Sequence, residues 1–269
     1  MTRELYSISD LLRVMQRLRD PASGCPWDLQ QTFSSIVPST LEECYELADA
    51  IAHEDYPHVA EELGDVLFQV VFYSQMAEEE ALFSFYSVVD TLVEKLIRRH
   101  PHVFAGGHIE GVVDEGASIE SVKLSWESIK QEERKSRQQH GTLSDVPVAL
   151  PALPRAQKLQ KRAAQTGFDW PDIDGAIDKL SEELDELREA VASQNPDRSV
   201  DELGDVMFSC VNVARHLGVD AEATLRQSTG KFEMRFKRME ALAQERGQQL
   251  GELDEMQLDQ LWDLAKSQL

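Results

Sequence analysis

Laid over itself with a displacement of 140 residues, the chain matches its own acids. Glu42, Glu43, Glu46 and Leu47 fall on Glu182, Glu183, Glu186 and Leu187. Glu62-Leu63-Gly64-Asp65-Val66 falls on Glu202-Leu203-Gly204-Asp205-Val206, and Phe68 on Phe208. A displacement of 136 then pairs Lys95 and Arg99 with Lys231 and Arg235, and Trp126 and Lys130 with Trp262 and Lys266. Two copies are too few for a stacked solenoid, so the pattern reads as a tandem duplication of one module. The expected boundaries are 1–136 for the first copy, 137–150 for a linker and 151–269 for the second. The stretch "QQHGTLSDVPVALPALP" sets the linker, because its three prolines interrupt helical patterning. At 269 residues, each copy is long enough to bury a core.

Apolar residues recur at helical spacing, and strand-like alternation is nearly absent, which predicts an all-α fold. Ile8, Leu11, Leu12, Met15 and Leu18 make one stripe of an opening helix. A second helix is expected from about Ser39 to His53, because Ser39 and Glu42 have capping-box spacing. Pro57 suits the first turn of a third, which runs to about Met76. Further helices are expected over roughly 84–99, 118–137, 152–165, 174–193, 197–217, 220–246 and 254–267.

Each copy therefore carries E-E-x-x-E on one helix and E-x-x-D on the next. Carboxylates three apart share a helix face. A connection of about ten residues makes the two helices antiparallel neighbours. Four acids then converge on one seam: Glu43, Glu46, Glu62 and Asp65 in the first copy, and Glu183, Glu186, Glu202 and Asp205 in the second. None has a lysine or arginine four residues downstream, and all border the apolar stripe. Grouped carboxylates near a core repel one another and are costly without a cation. Oxygen-only ligands suit a hard ion, Mg²⁺ first and Mn²⁺ as a substitute. A single E-E-x-x-E is ordinarily a solvated helix face. Its recurrence at the same separation, each time ending in E-L-G-D-V, favours a site. Gly64 and Gly204 point the same way, since a mid-helix glycine costs ~1 kcal/mol and implies close approach of a backbone or ligand.

Several chemistries are excluded. No histidine follows a glutamate by three, which removes the E-x-x-H of carboxylate di-iron bundles. HExxH, the EF-hand loop and the P-loop are absent. "HPHVF" at residues 100–104 reads as a helix-end loop and not as a metal site. A formal charge of -22 repels nucleic acid and anionic membranes, so a polyanion needs a cation or a local basic cluster to dock. No apolar run is long enough to span a bilayer, and no signal-peptide core is present. With Cys25, Cys44 and Cys210 in no CxxC pairing, a reduced cytoplasmic setting is expected.

The doubled E-E-x-x-E…E-L-G-D pattern, "GCPWD" at 24–28, "RRHPHVF" at 98–104 and "GFDW" at 167–170 together resemble the bacterial MazG family of nucleoside triphosphate pyrophosphohydrolases. The resemblance covers nearly the whole chain. It implies a helical-bundle fold, a homodimer, and Mg²⁺-dependent hydrolysis of NTPs and dNTPs to monophosphate and pyrophosphate. It also implies that Glu183, Glu186, Glu202 and Asp205, and their first-copy counterparts, hold the metal. On that reading Glu182 or Glu186 orients or deprotonates the water. Lys231 and Arg235, one helical turn apart, bind phosphates, joined by Lys266. Trp262 either stacks on the base or packs in the core. The competing class is a non-catalytic scaffold or regulatory partner that binds Mg²⁺ and nucleotide.

The copies differ four residues before an acid of each motif. The second has Lys179 and Arg198 where the first has Ser39 and His58. Either the two cations only pair with Glu183 and Glu202 along the helix, or they line the rim of an acidic site that admits a polyanion. An unperturbed His58 is mostly neutral near pH 7.5. The main active site is therefore expected in residues 151–269.

Overall fold

The computed structural model describes residues 5–111, 118–136 and 141–268. Residues 137–140 of the expected linker lie outside the described residues. The described residues form helices and loops with no strand, and they divide into two compact units, Met1–Glu133 and Arg134–Leu269.

The first unit comprises α1 (Ile8–Leu18), α2 (Pro26–Gln30), α3 (Phe33–Ala52), α4 (Tyr56–Glu79), α5 (Phe85–Arg99) and all but the last three residues of α6 (Ile119–Ser136). The helices α3 and α4 lie against each other, and α1 and α5 both pack on α4. At their centre Met15, Ile36, Val71, Phe72 and Met76 are buried together. Each such side chain stabilises the fold by ~1.5–3 kcal/mol.

One boundary differs from expectation. The helix α3 begins at Phe33 and not at Ser39, because Thr32 and Ser35 form the capping box. Thr32 Oγ1 accepts from Ser35 N at 3.2 Å, and Ser35 Oγ accepts from Thr32 N at 2.8 Å. Pro38 sits inside the helix, early enough that it forfeits one backbone bond without stopping propagation.

The second unit comprises α7 (Ala152–Ala164), α8 (Ile173–Ala192), α9 (Pro196–His216), α10 (Ala221–Glu245) and α11 (Glu255–Ser267). The helices α8 and α9 pair closely, and α7 packs on α9 and α10. Residues Met239, Leu242, Ala243, Leu261 and Ala265 form a separate core between α10 and α11. The segment expected as linker is partly seated in this unit: Val146 is 5% exposed, and Arg162 donates to Asp145 at 2.6 Å.

The two acid-bearing helix pairs are built alike. Only residues 53–55 separate α3 from α4, and only 193–195 separate α8 from α9, far shorter than the expected connection. Glu54 and Gln194 adopt positive φ (57° and 53°), the left-handed step that reverses the chain. Asp55 then caps α4 by accepting from His58 N, and Asn195 caps α9 by accepting from Arg198 N. Pro57 and Pro196 occupy the first turns, where a missing N–H costs nothing.

Candidate active site

These turns bring the expected acids together. Carboxylate oxygens of Glu43, Glu46 and Glu62 all lie within 4.8 Å of one another, and so do those of Glu183, Glu186 and Glu202. Asp65 and Asp205 stand outside these trios but within their electrostatic reach. Burial raises the Glu43 carboxyl above its ordinary range, followed by repulsion from Asp65, Glu46 and Glu62. Burial likewise raises Glu186, with Glu183 and Glu202 adding to it. It also raises Asp205, aided by Glu183 and Asp201. The deepest acid differs between the copies: it is Glu62 on α4 in the first and Glu183 on α8 in the second, each 6% exposed. The buried Glu62 Oε2 has no hydrogen-bond partner among the described residues. Such all-carboxylate sets suit a hard divalent cation, which would relieve the repulsion.

Apart from their own stretch of helix, Gly64 and Gly204 have no atom of the described residues within 4 Å of the place a Cβ would occupy. Close approach of another backbone, one of the two readings of these glycines, is thus not found. The space beside them is open.

The differing cations are engaged with the acids. Lys179 Nζ lies 2.9 Å from Glu183 Oε1 and donates to Glu182 Oε1 at 3.0 Å. Arg198 Nε donates to Glu202 Oε1 at 3.3 Å. In the first copy His58 Nε2 lies 2.7 Å from Glu62 Oε1. The i,i+4 pairing is therefore present in both copies, with permanent cations only in the second.

The residues expected on phosphate and base lie on the last two helices of the second unit. Lys231 and Arg235 lie on α10, while Trp262 and Lys266 lie on α11. The Trp262 ring packs on the α10–α11 core and sits 5.5 Å from the Phe232 ring. Lys266 Nζ lies 2.8 Å from Asp263 Oδ1.

What does adjoin the acids is a cavity of about 600 Å³ between α7, α8 and α9. Lys179, Glu183 and Asp205 form one wall, and Leu159, Phe208 and Trp170 supply apolar surface. The loop before α8 is tied down through Asp169, which accepts from Arg215 Nη1 at 2.9 Å and lies 3.2 Å from His216 Nε2. The Arg215 guanidinium holds the Asp169 carboxyl below its ordinary range. Gly175 is a close-approach glycine: a Cβ there would meet the Trp170 ring at 3.0 Å.

The sequence reading missed the cavity residues Ser209, Asn212 and Arg215. A signal existed in the differences between the copies. At the 140-residue displacement Asn212 corresponds to Phe72, Ser209 to Gln69, Ala176 to Ile36 and Gly175 to Ser35. Phe72 and Ile36 are core residues of the first unit, at 1% and 2% exposure. Smaller or polar residues at the matching places of the second unit accompany an open space beside the acids.

Comparison with known proteins agrees with this architecture. The MazG nucleotide pyrophosphohydrolase domain matches residues 31–104 and again 174–239, each match enclosing one acid set. The chain is 48% identical over 268 residues to the nucleoside triphosphate pyrophosphohydrolase of Escherichia coli K12, covering 98% of both chains. It is 44% identical to the nucleoside triphosphate pyrophosphohydrolase/pyrophosphatase MazG of Thermotoga maritima, covering 96% of this chain and 94% of that one. It is also 40% identical to YabN of Bacillus subtilis over 97% of this chain and 52% of that protein. With the domain matched twice and full-length relatives at this identity, the chain belongs to the MazG nucleotide pyrophosphohydrolase family.

Proposed function

We propose that this chain is a divalent-metal-dependent enzyme that hydrolyses nucleoside triphosphates, ribo and deoxy, to monophosphate and pyrophosphate, with Mg²⁺ as its ion. The observation that carries this reading is the Glu183–Glu186–Glu202 trio, within 4.8 Å, opening beside a nucleotide-sized cavity in a member of this family. The reading assigns the metal to these three acids with Asp205 as the fourth, and gives the first-copy acids the same role at a lesser site. A bound divalent ion supplies positive charge to the phosphates and polarises a phosphoryl oxygen.

The protein's own groups do the rest. Of the two acids considered for the water, Glu182 is exposed and paired with Lys179, whereas burial and then the neighbouring acids make Glu186 hold a proton more readily. Glu186 is therefore assigned to orient the water and accept its proton. Lys179 and Arg198 exchange carboxylate partners for phosphate oxygens when a polyanion enters. Lys231, Arg235 and Lys266 are assigned to the phosphates and Trp262 to the base from outside this cavity, whose lining does not include them.

A homodimer is part of this proposal. Exposed Val200, Leu203, Met207 and Phe208 on α9, with Phe232, Met234 and Phe236 on α10, are more apolar surface than a helix face usually leaves in water. Sedimentation showing a stable monomer at micromolar concentration would remove it. Among the described residues no helix is long and apolar enough to cross a membrane.

The activity is tested by pyrophosphate release from mixed NTPs and dNTPs with and without Mg²⁺. Release that needs the ion supports the reading, and binding without turnover would make the chain a scaffold. Hydrolysis in ¹⁸O-water locates the attack, since label in the monophosphate means attack at the α-phosphorus.

A further inference from the structure

We infer that the cavity between α7, α8 and α9 receives the nucleobase, and that Ser209 and Asn212 read its edge. The inference rests on the hydrolase reading for the identity of the ligand, and on the cavity's own chemistry for its place.

About 600 Å³ is within the range of small-molecule sites and exceeds what buried water alone requires. The cavity shares Lys179, Glu183 and Asp205 with the acid site, so a triphosphate held there has its nucleoside end directed inward. Its remaining walls are mainly apolar and aromatic, which suits the flat faces of a base and not further phosphate.

Three side chains of the cavity wall keep unused hydrogen-bonding capacity: Ser209, Asn212 and Gln160, whose Oε1 is buried without a partner among the described residues. Ser209 is 7% exposed, and its hydroxyl makes no hydrogen bond among the described residues, although helical serines commonly bond the preceding turn. The Ser209 oxygen is accessible from the cavity it lines, where the edge of an entering base can replace water as its partner. Asn212 is oriented by its neighbour: Arg215 Nε donates to Asn212 Oδ1 at 3.0 Å. A guanidinium can only donate, which fixes the carboxamide oxygen toward Arg215 and leaves the amide N–H groups free. Asp169 in turn fixes Arg215. The relay from Asp169 through Arg215 to Asn212 presents donors to whatever enters. The base edge that meets the Asn212 donors offers acceptors, as carbonyl oxygens and ring nitrogens do, while Gln160 Oε1 on the same wall accepts from a donor such as an exocyclic amine.

The first copy supplies the contrast. Phe72 stands at the Asn212 position and fills its core. The described cavity of the first unit, about 230 Å³, is lined by α1, α4 and α5 residues and includes none of its four acids.

The first test uses the intact wild-type chain and the four deoxynucleosides, which carry no phosphate. Indole N–H resonances, assigned with Trp170→Phe and Trp262→Phe, are followed during titration. The result expected is a saturable shift of Trp170. A shift of Trp262 alone, or of neither, overturns the inference. This readout is independent of turnover, so an inactive wild-type protein would defeat the hydrolase reading without deciding this one.

The second test installs the first copy's residue. Asn212→Phe is expected to raise KM for NTPs about tenfold or more, the scale of losing a base contact. Its Mn²⁺ affinity, read by electron paramagnetic resonance, should stay that of wild type, because the acids are untouched. An unchanged KM in a folded Asn212→Phe variant contradicts the inference. Should that variant not fold, Ser209→Ala serves instead, and a KM unchanged for every base is again the contrary result.

Discussion

Lys179 Nζ lies 2.9 Å from Glu183 Oε1, so the most buried acid of the second copy is partly neutralised by a cation one helical turn away. The pair raises the Lys179 pKa, mainly through the bond to Glu183 and then that to Glu182. A lysine so placed competes with a metal for Glu183 and helps a triphosphate approach it.

Removing that charge separates the two roles. Lys179→Met is expected to bind Mn²⁺ about threefold to tenfold more tightly, since a competing cation is gone and the pair is only partly screened. The same variant should show a higher KM for NTPs, because the polyanion loses a donor. Equilibrium metal titration and steady-state kinetics on one preparation check both. Loss of metal affinity would mean that Lys179 orients Glu183 and does not oppose the ion.

The raised carboxyls give a pH signature. Glu186 and Asp205 bind protons more readily in the fold than in the open chain. Each therefore costs metal-free stability at neutral pH, and that cost is relieved as pH falls through its raised folded value. Glu186→Gln should melt at or above the wild-type temperature at pH 7.5, with the difference closing toward acid pH. Its turnover should fall by about 10²-fold or more. A variant that melts well below wild type at pH 7.5 would contradict a net cost of the charged carboxylate from burial and repulsion.

Two helical glycines should respond in opposite ways to alanine. Gly204 faces open space, so Gly204→Ala should gain the ~0.5–1 kcal/mol that glycine costs in a helix. Gly175 lies under Trp170, so Gly175→Ala should gain nothing or lose stability as the ring is displaced. Chemical denaturation of the two variants decides it. Equal gains would mean that the loop carrying Trp170 yields freely.

The first unit has a distinct acid-sensitive tie. Glu133 on α6 accepts from Arg99 Nη2 at 2.5 Å and Arg98 Nη2 at 2.7 Å, bonds that lower its carboxyl to about 2. Its folded value lies below the unfolded one, so this stabilisation is complete above the ordinary glutamate range. It is lost as pH falls from there toward about 2. Glu133→Gln should destabilise the first unit by ~1–3 kcal/mol at pH 7, discounted for the half-exposed Arg98, and by little near pH 2. Denaturation at both pH values checks the sign.

Much of this was legible in the residues, for definable reasons. Helix periodicity located the principal helices to within a few residues, because their stripes are continuous. The start of α3 was misplaced because two capping patterns compete, and Thr32 with Ser35 prevails over Ser39 with Glu42. The acids were visible through their recurrence. The cavity was not, since serine and asparagine on a helix carry no period or motif. Only Asn212 set against Phe72 betrays it, and that comparison needs the knowledge that Phe72 is core. What Lys231, Arg235 and Trp262 can reach depends on how α10 and α11 pack, which no local pattern encodes.

The central claim, that hydrolysis resides in the second copy, is tested most directly by two double variants assayed on the same dNTPs with Mg²⁺. Glu183→Ala/Glu186→Ala should abolish pyrophosphate release, while Glu43→Ala/Glu46→Ala should retain most of it. If the first pair of substitutions spares hydrolysis and the second abolishes it, the assignment of the active copy is reversed.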